Sequence, residues 1–309
     1  MRSLDMLSRD FWKDNERFAD VFNTVLYKGK QVIHPEKLME ADSNLSGSIQ
    51  TKKKEDVFIE RRADLIRKFV GDSEYAIFLL ENQSHIHYAM PLRVMLYDAL
   101  GYHEECAQRK RENKKYSSHV NRDEFLSGMR KEDRIHPVFT LVVYYGEKAW
   151  DGPRRLKDMM VEMPEWMEKS FNDYPMNLLE IRTSEHAFQN EDVSRLIYMI
   201  QHIYRKQIEE MKKECADVYV ARDVIKLAGA ITENEEIIRY AEEHKEEEVL
   251  NMCEATKQWE EKIRNDVINM MGVRKEGEEN LAPEEAIERL KTEGEAKGKA
   301  KGILEGREN

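Results

Sequence analysis

Two dense apolar runs, DVFIERRADLIRKF from Asp56 and AIFLLENQS from Ala76, stand either side of Gly71-Asp72-Ser73-Glu74, a stretch of turn composition. The pattern predicts a β-hairpin between Val57 and Ser84, and a hairpin fixes which side chains meet. If Asp72-Ser73 is a two-residue turn, residues equidistant from it face each other, which sets Asp64 opposite Glu81. Gln83 then shares a face with Glu81, and Arg62 shares one with Asp64. Two acids directly opposed repel unless something neutralises them, which makes the pair a poor structural choice and a good hard-cation site for Mg²⁺ or Mn²⁺. A longer turn shifts the register and separates the two acids. Acids at the ends of a hairpin also simply point into water, so spacing alone leaves these readings open.

The surrounding sequence supplies further strands and helices. Phe11, Phe18, Val21, Phe22 and Val25 recur at helical spacing, predicting one amphipathic helix over Arg9 to Tyr27 that ends before Gly29, with Glu16, Asp20 and Asn23 along a polar edge. Residues 41–55 are polar, contain Ser and Gly, and are expected to form a loop. Helices are expected over Ile86 to about Lys110, with Pro91 in the first turn, and over Arg154 to Met163 and Asp192 to Met211. Strands are expected at Val138 to Tyr145 and Asn177 to Arg182. This order predicts an α/β fold: a mixed central sheet flanked by helices, whose strands lack alternation because both faces are covered. The division expected is a domain over residues 1–211 and a helical, charged, acidic region over residues 212–309. Its end, EGEAKGKAKGILEGREN, repeats Gly294, Gly298, Gly302 and Gly306 every four residues. Glycine at that spacing weakens a lone helix by about 1 kcal/mol per position, so this tail is expected to be frayed or to need a close-packing partner.

Composition narrows the function classes. With 309 residues, 40% of them hydrophobic, the chain can bury a core without disulfide staples, and its apolar runs are too short for a membrane span. The start MRSLDMLSRDFWKD carries acids and lacks the apolar stretch of a secretory signal, so a cytoplasmic protein is expected. Cys106, Cys215 and Cys253 form no CxxC pairing, which argues against a disulfide framework or a zinc site. The net charge of −11 is uneven: residues 211–309 hold 17 basic and 25 acidic side chains. Lys52-Lys53-Lys54 and Arg109-Lys110-Arg111 with Lys114-Lys115 remain as local basic clusters, each read most simply as a solvated loop or helix end.

Several separate blocks, in order, carry a resemblance. RRADLIRK, AIFLLENQSHIHYAMPLRVMLYDALGY and HPVFTLVVYYGEKAWDGP, preceded by FADVFN, closely resemble the recombination-promoting nuclease (Rpn) family, also described as putative transposases of the PD-(D/E)xK nuclease superfamily. The resemblance runs from about Arg9 to Met211. It implies a metal-dependent DNA endonuclease that hydrolyses phosphodiester bonds and acts in recombination or on mobile DNA. In the superfamily an acid on the first hairpin strand and a Glu-x-Lys on the second bind divalent metal, with a further acid often supplied by the first helix. Asp64 matches the first acid, Glu81 the second, Gln83 the lysine position, and Asp20 or Glu16 the helix acid. Ala63 stands where the pattern has Pro, and Gln83 replaces Lys, as in the Glu-x-Gln of the Rpn-like group.

The resemblance thus implies that Asp64, Glu81 and the backbone carbonyl of Asn82 hold Mg²⁺, with Mn²⁺ as an alternative. An amide takes no proton at neutral pH, so Gln83 orients the attacking water by hydrogen bonding. Arg93 is a candidate phosphate contact, against a salt bridge to Asp98 or the sheet edge, and Arg62 is a second candidate for contact with DNA. His85 and His87 flank the motif, where a histidine more often packs and bonds locally. Tyr144, Tyr145, Trp150 and Pro153 form an aromatic corner that is expected to cap the sheet rather than stack on bases. A catalytically silent DNA-binding protein that kept the fold is the competing class, kept open by Gln83. A helical scaffold in which residues 212–309 drive self-association is a third.

Overall fold

The N-terminal segment expected as one helix folds as two, α1 (Leu4–Trp12) and α2 (Asn15–Tyr27). Asp14 makes the break: its carboxylate accepts the backbone N–H groups of Glu16 and Arg17 at 2.9 and 3.0 Å, capping a new helix that starts at Asn15. Helix α2 ends where Lys28 and Gly29 turn left-handed, at φ 55° and 81°. The computed structural model describes residues 3–41, 44–50, 56–70, 75–115, 121–257 and 260. The chain divides into two compact units, one of residues 1–206 with 230–232 and one of residues 207–229 with 233–309.

The first unit is built on a five-stranded mixed sheet in the order β1 (Leu38–Glu40), β4 (Leu65–Val70), β5 (Tyr75–Gln83), β6 (Val138–Tyr144), β7 (Asn177–Glu180). Strands β1, β4 and β5 pair antiparallel, whereas β5, β6 and β7 pair parallel. The β4–β5 hairpin runs from Leu65 opposite Leu80 to Val70 opposite Tyr75, the register that a turn at Asp72-Ser73 requires. The turn, residues 71–74, lies outside the described residues. The first run of the hairpin is not one strand: it breaks at Ala63-Asp64, and β3 (Asp56–Arg62) pairs with β2 (Asn44–Gln50) in a separate ribbon. The expected loop over residues 41–55 therefore contains a strand, which backbone pairing with β3 builds despite a Ser- and Gly-containing sequence. Lys52-Lys53-Lys54 lie outside the described residues.

Helix α3 (Met90–Lys115) makes the crossover between β5 and β6 and covers one face of the sheet. Ile66, Ile77 and Leu79 pack there with Tyr97, Leu100 and Val138, and Met90 and Val94 pack with Val142, Tyr144, Trp150 and Met176. The basic residues Arg109 to Lys115 fall in its last turns, as a solvated helix end. On the opposite face Phe78 meets Phe22 of α2, ring centroids 5.0 Å apart, and Phe22 stacks on Phe18 at 4.8 Å. Coverage on both faces explains why the strands lack alternation. Each fully buried Leu, Ile or Phe contributes about 1.5–3 kcal/mol, so a charged residue in the middle strand of such a sheet requires a reason.

Other expectations need correction. Arg154 to Met163 is not a helix: Asp158 accepts the backbone N–H groups of Arg154 and Arg155, holding a single 3-10 turn at Leu156–Met159, and a short α5 (Glu165–Glu168) follows α4 (Arg122–Ser127) in the chain. The expected helix over Asp192 to Met211 divides into α6 (Glu191–Arg205) and α7 (Ile208–Glu214) at Lys206, whose φ is 57°. The second unit is not all-helical: β8 (Tyr219–Ala221) and β9 (Val249–Asn251) pair antiparallel, accompanied by α8 (Arg222–Ile231) and α9 (Glu235–Glu243). Each strand shows its middle residue, Val220 or Leu250, buried and its neighbours more open, a period too short to stand out between helices. The glycine-spaced tail lies outside the described residues. Among the described residues no helix is long and apolar enough to cross a membrane.

Candidate active site

Strand β5 positions most of the site because its side chains alternate. Ile77, Leu79, Glu81 and Gln83 point to the α3 face, while Phe78, Leu80 and Asn82 point to the other. Glu81 is only 2% exposed. Its Oε1 accepts Arg93 Nη2 at 2.5 Å, Gln83 Nε2 at 3.1 Å and the Tyr97 hydroxyl at 3.4 Å. Its Oε2 is buried without a hydrogen bond of normal geometry, and the Asp64 backbone N–H lies near enough to act on the carboxyl. Burial, with the Asp64 charge beside it, pushes the Glu81 carboxyl up to about 7 against the pull of Arg93 and Tyr97.

Asp64 sits one residue before β4, at the place where continued pairing puts it opposite Glu81. Its Oδ2 accepts the backbone N–H of Asn82 at 2.7 Å. Burial raises its carboxyl, and the Asn82 amide and the nearby Arg9 guanidinium partly offset that. Ile77 donates its amide to Pro137, and Gln83 accepts from Tyr145 N–H, both toward β6. Strand alternation therefore turns the Asn82 carbonyl toward the Asp64 side, away from β6. The Asn82 side chain accepts the Tyr145 hydroxyl at 2.8 Å, and Tyr145 in turn accepts Trp12 Nε1 at 2.6 Å. Helix α1 is thereby tied to the strand that carries Glu81.

The sequence-derived residues separate into those this geometry gathers and those it does not. Asp64, Glu81, Asn82, Gln83 and Arg93 meet. Arg93 pairs with Glu81 instead of Asp98, because its place in the first turn of α3 sets it over the end of β5, and its Nε donates to Tyr97 at 2.7 Å. Asp98 is engaged by Thr140 Oγ1 at 2.5 Å and by the Tyr174 hydroxyl. Asp20, the expected helix acid, is 5% exposed, and its two oxygens accept the backbone N–H groups of Gln189 and Asn190 at 3.1 and 3.0 Å. Those amides lead into α6, so Asp20 holds a helix start. Glu16 stands in the first turn of α2. Arg62 ends β3 in the separate ribbon, and its side chain lies outside the described residues. His85 bonds the hydroxyl of its neighbour Ser84, and His87 is exposed. Tyr144, Tyr145 and Trp150 are 3%, 1% and 6% exposed, so the aromatic corner is core.

Sequence reading missed Tyr97 and the link from α1 through Tyr145 to Asn82. Tyr97 was legible in principle, four residues after Arg93 on one helix face. The contribution of α1 is a long-range contact with no local signature.

These residues fit a hard divalent cation. Two carboxylates of raised pKa lie together, one with a buried oxygen lacking a hydrogen bond of normal geometry, and a backbone carbonyl faces the same side. Among the described residues no group of three or more His, Cys, Asp or Glu is close enough to hold a metal, so such an ion would complete its shell with oxygens from outside these side chains. No curated protein and no solved structure matches the chain. A family model described as "Putative transposase, YhgA-like" matches residues 63–226, a span that includes Asp64, Glu81, Gln83 and Arg93, and the chain belongs to that family.

Proposed function

We propose that this protein is a divalent-metal-dependent DNA endonuclease of the PD-(D/E)xK type, acting on mobile or recombining DNA. The observation that carries the reading is the Asp64–Glu81 pair at the end of β5, where Glu81 keeps a buried Oε2 without a hydrogen bond of normal geometry beside a second carboxylate. A merely structural acid would have that oxygen satisfied, since a buried polar atom without a partner costs about 1–3 kcal/mol. Membership of a transposase-like family supports DNA as the substrate.

Asp64, Glu81 and the Asn82 carbonyl hold the cation in this reading. When bound, Mg²⁺ or Mn²⁺ supplies Lewis acidity for activating water and positive charge for the phosphodiester. Gln83 Nε2, now on Glu81 Oε1, orients the attacking water and accepts no proton. Arg93, one-third exposed at its ion pair with Glu81, would be placed to contact a phosphate oxygen. Water adds across one P–O ester bond, which breaks with no covalent enzyme intermediate.

A second reading, a catalytically silent DNA-binding protein, draws on two observations: the carboxylates number two, and Arg93 already neutralises one of them. A plasmid-cleavage assay separates the two readings. Nicking or linearisation in Mg²⁺ or Mn²⁺ that chelator abolishes supports the nuclease, and binding of the plasmid without cleavage under any metal supports the silent protein.

A further inference from the structure

The buried polar atoms without a partner are not scattered. Among the described residues there are five, and four of them, Ser8 Oγ, Arg9 Nε, Glu81 Oε2 and Asn82 Nδ2, lie on α1 or on β5 beside Asp64. Asp5, Ser8, Arg9 and Trp12 follow one another at i, i+3, i+4 and i+7, so they share one face of α1. Trp12 anchors that face through Tyr145 to Asn82, the residue whose N–H holds Asp64. Ser8 Oγ is buried beside the Tyr145 hydroxyl without a hydrogen bond of normal geometry. Arg9 comes close enough for its charge to act on the Asp64 carboxyl. No ion pair or side-chain hydrogen bond holds it among the described residues.

A buried, unpaired Nε costs free energy that the pull of Arg9 on the Asp64 carboxylate offsets only in part. The same five-donor fork, positive and near the Asp64 carboxylate, suits an oxyanion brought in with a cation. Arg93 approaches Asp64 and Glu81 from α3, so two arginines on different helices act on the Asp64 carboxyl.

We propose that Arg9 binds a backbone phosphate of the DNA at the Asp64–Glu81 site, with α1 forming part of the substrate-binding surface. The inference rests on the nuclease reading. It adds a substrate-binding residue on a segment that lies before the residues matched by the family.

The test is equilibrium binding of a fluorescein-labelled duplex DNA to the full-length protein in chelator, as a function of salt, for wild type, Arg9→Gln and Arg9→Lys, with a thermal melt of each. One lost phosphate contact weakens binding about 10-fold and lowers the slope of log affinity against log salt by about 1. Arg9→Gln is expected to show both changes with an unchanged or higher Tm, and Arg9→Lys to keep the slope while losing part of the affinity. An unchanged slope and affinity in Arg9→Gln overturns the proposal, as does a lower Tm with wild-type binding, which marks a structural arginine. If wild type itself binds no duplex, the nuclease reading fails and this inference with it, an outcome distinct from a wild type that binds and an Arg9→Gln that binds equally well.

Discussion

Glu81 carries most of the argument at the scale of single residues. Its folded carboxyl titrates at about 7 against an ordinary 4.5, so folding favours the protonated form. The sign follows directly: without metal, the contribution of this group to stability is full below about pH 4.5, declines as pH rises, and is lost above about 7. Glu81→Gln removes the penalty, and chelated protein at pH 8 should melt about 2–4 °C higher than wild type, with the difference closing toward pH 4.5. A lower Tm at pH 8 would show that the Arg93 ion pair outweighs burial. The same proton competes with a cation, so Mn²⁺ affinity should rise with pH up to about 7, which calorimetric titration would follow. At Gln83 the expected loss is that of one positioned donor: Gln83→Ala should lower cleavage about 10-fold to 1,000-fold with metal affinity little changed. Gln83→Lys should retain measurable cleavage and need more metal, because an ammonium repels the cation. Cleavage indifferent to both substitutions would place Gln83 outside the site. The Asp64, Glu81 and Gln83 juxtaposition was legible in sequence because strand alternation and a compact turn fix it locally. The pairing of Arg93 with Glu81 was not, since it depends on where α3 enters over the sheet.

At the scale of elements, the readings that failed share a cause: a side chain ended an element where periodicity ran on. Asp14 splits the first helix by capping a second one, and Asp158 turns an expected helix into a single tight turn. The hairpin's first run looked like one strand because residues 57–69 are rich in Ile, Leu, Phe and Val on both sides of Ala63-Asp64. Nothing local reveals that residues 56–62 pair with 44–50 instead. Asp20 shows the same limit at a proposed site, since its polar position on α2 was visible and its partners, 169 and 170 residues away, were not. This assigns it a structural role with a measurable consequence. Asp20→Ala leaves the amides of Gln189 and Asn190 without their acceptor, which should cost about 2–3 kcal/mol and lower Tm by about 5–10 °C. Cleavage by the protein that remains folded should persist. Loss of cleavage at an unchanged Tm would return Asp20 to the catalytic machinery.

For the molecule as a whole, the α/β class and the mixed sheet could be read from the order of apolar runs, because a sheet covered on both faces needs continuous runs and long crossovers. The ribbon of β8 and β9 could not, being three-residue strands between helices. The family match begins one residue before Asp64 and runs to residue 226, so the hairpin, its crossover helix and β6 fall inside the part shared with the family. Within that part, we propose that Asp64 and Glu81 together form a hydrolytic site. The most direct measurement is cleavage of supercoiled plasmid in Mg²⁺ by wild type and by Asp64→Ala, each checked by thermal melt. Chelated Asp64→Ala should melt close to the wild-type temperature, since the relief of a charge that raises the Glu81 pKa works against the loss of the acceptor for the Asn82 N–H, and in Mg²⁺ it should leave the plasmid intact while wild type cuts it. An Asp64→Ala protein that is folded and cuts at the wild-type rate would contradict the account.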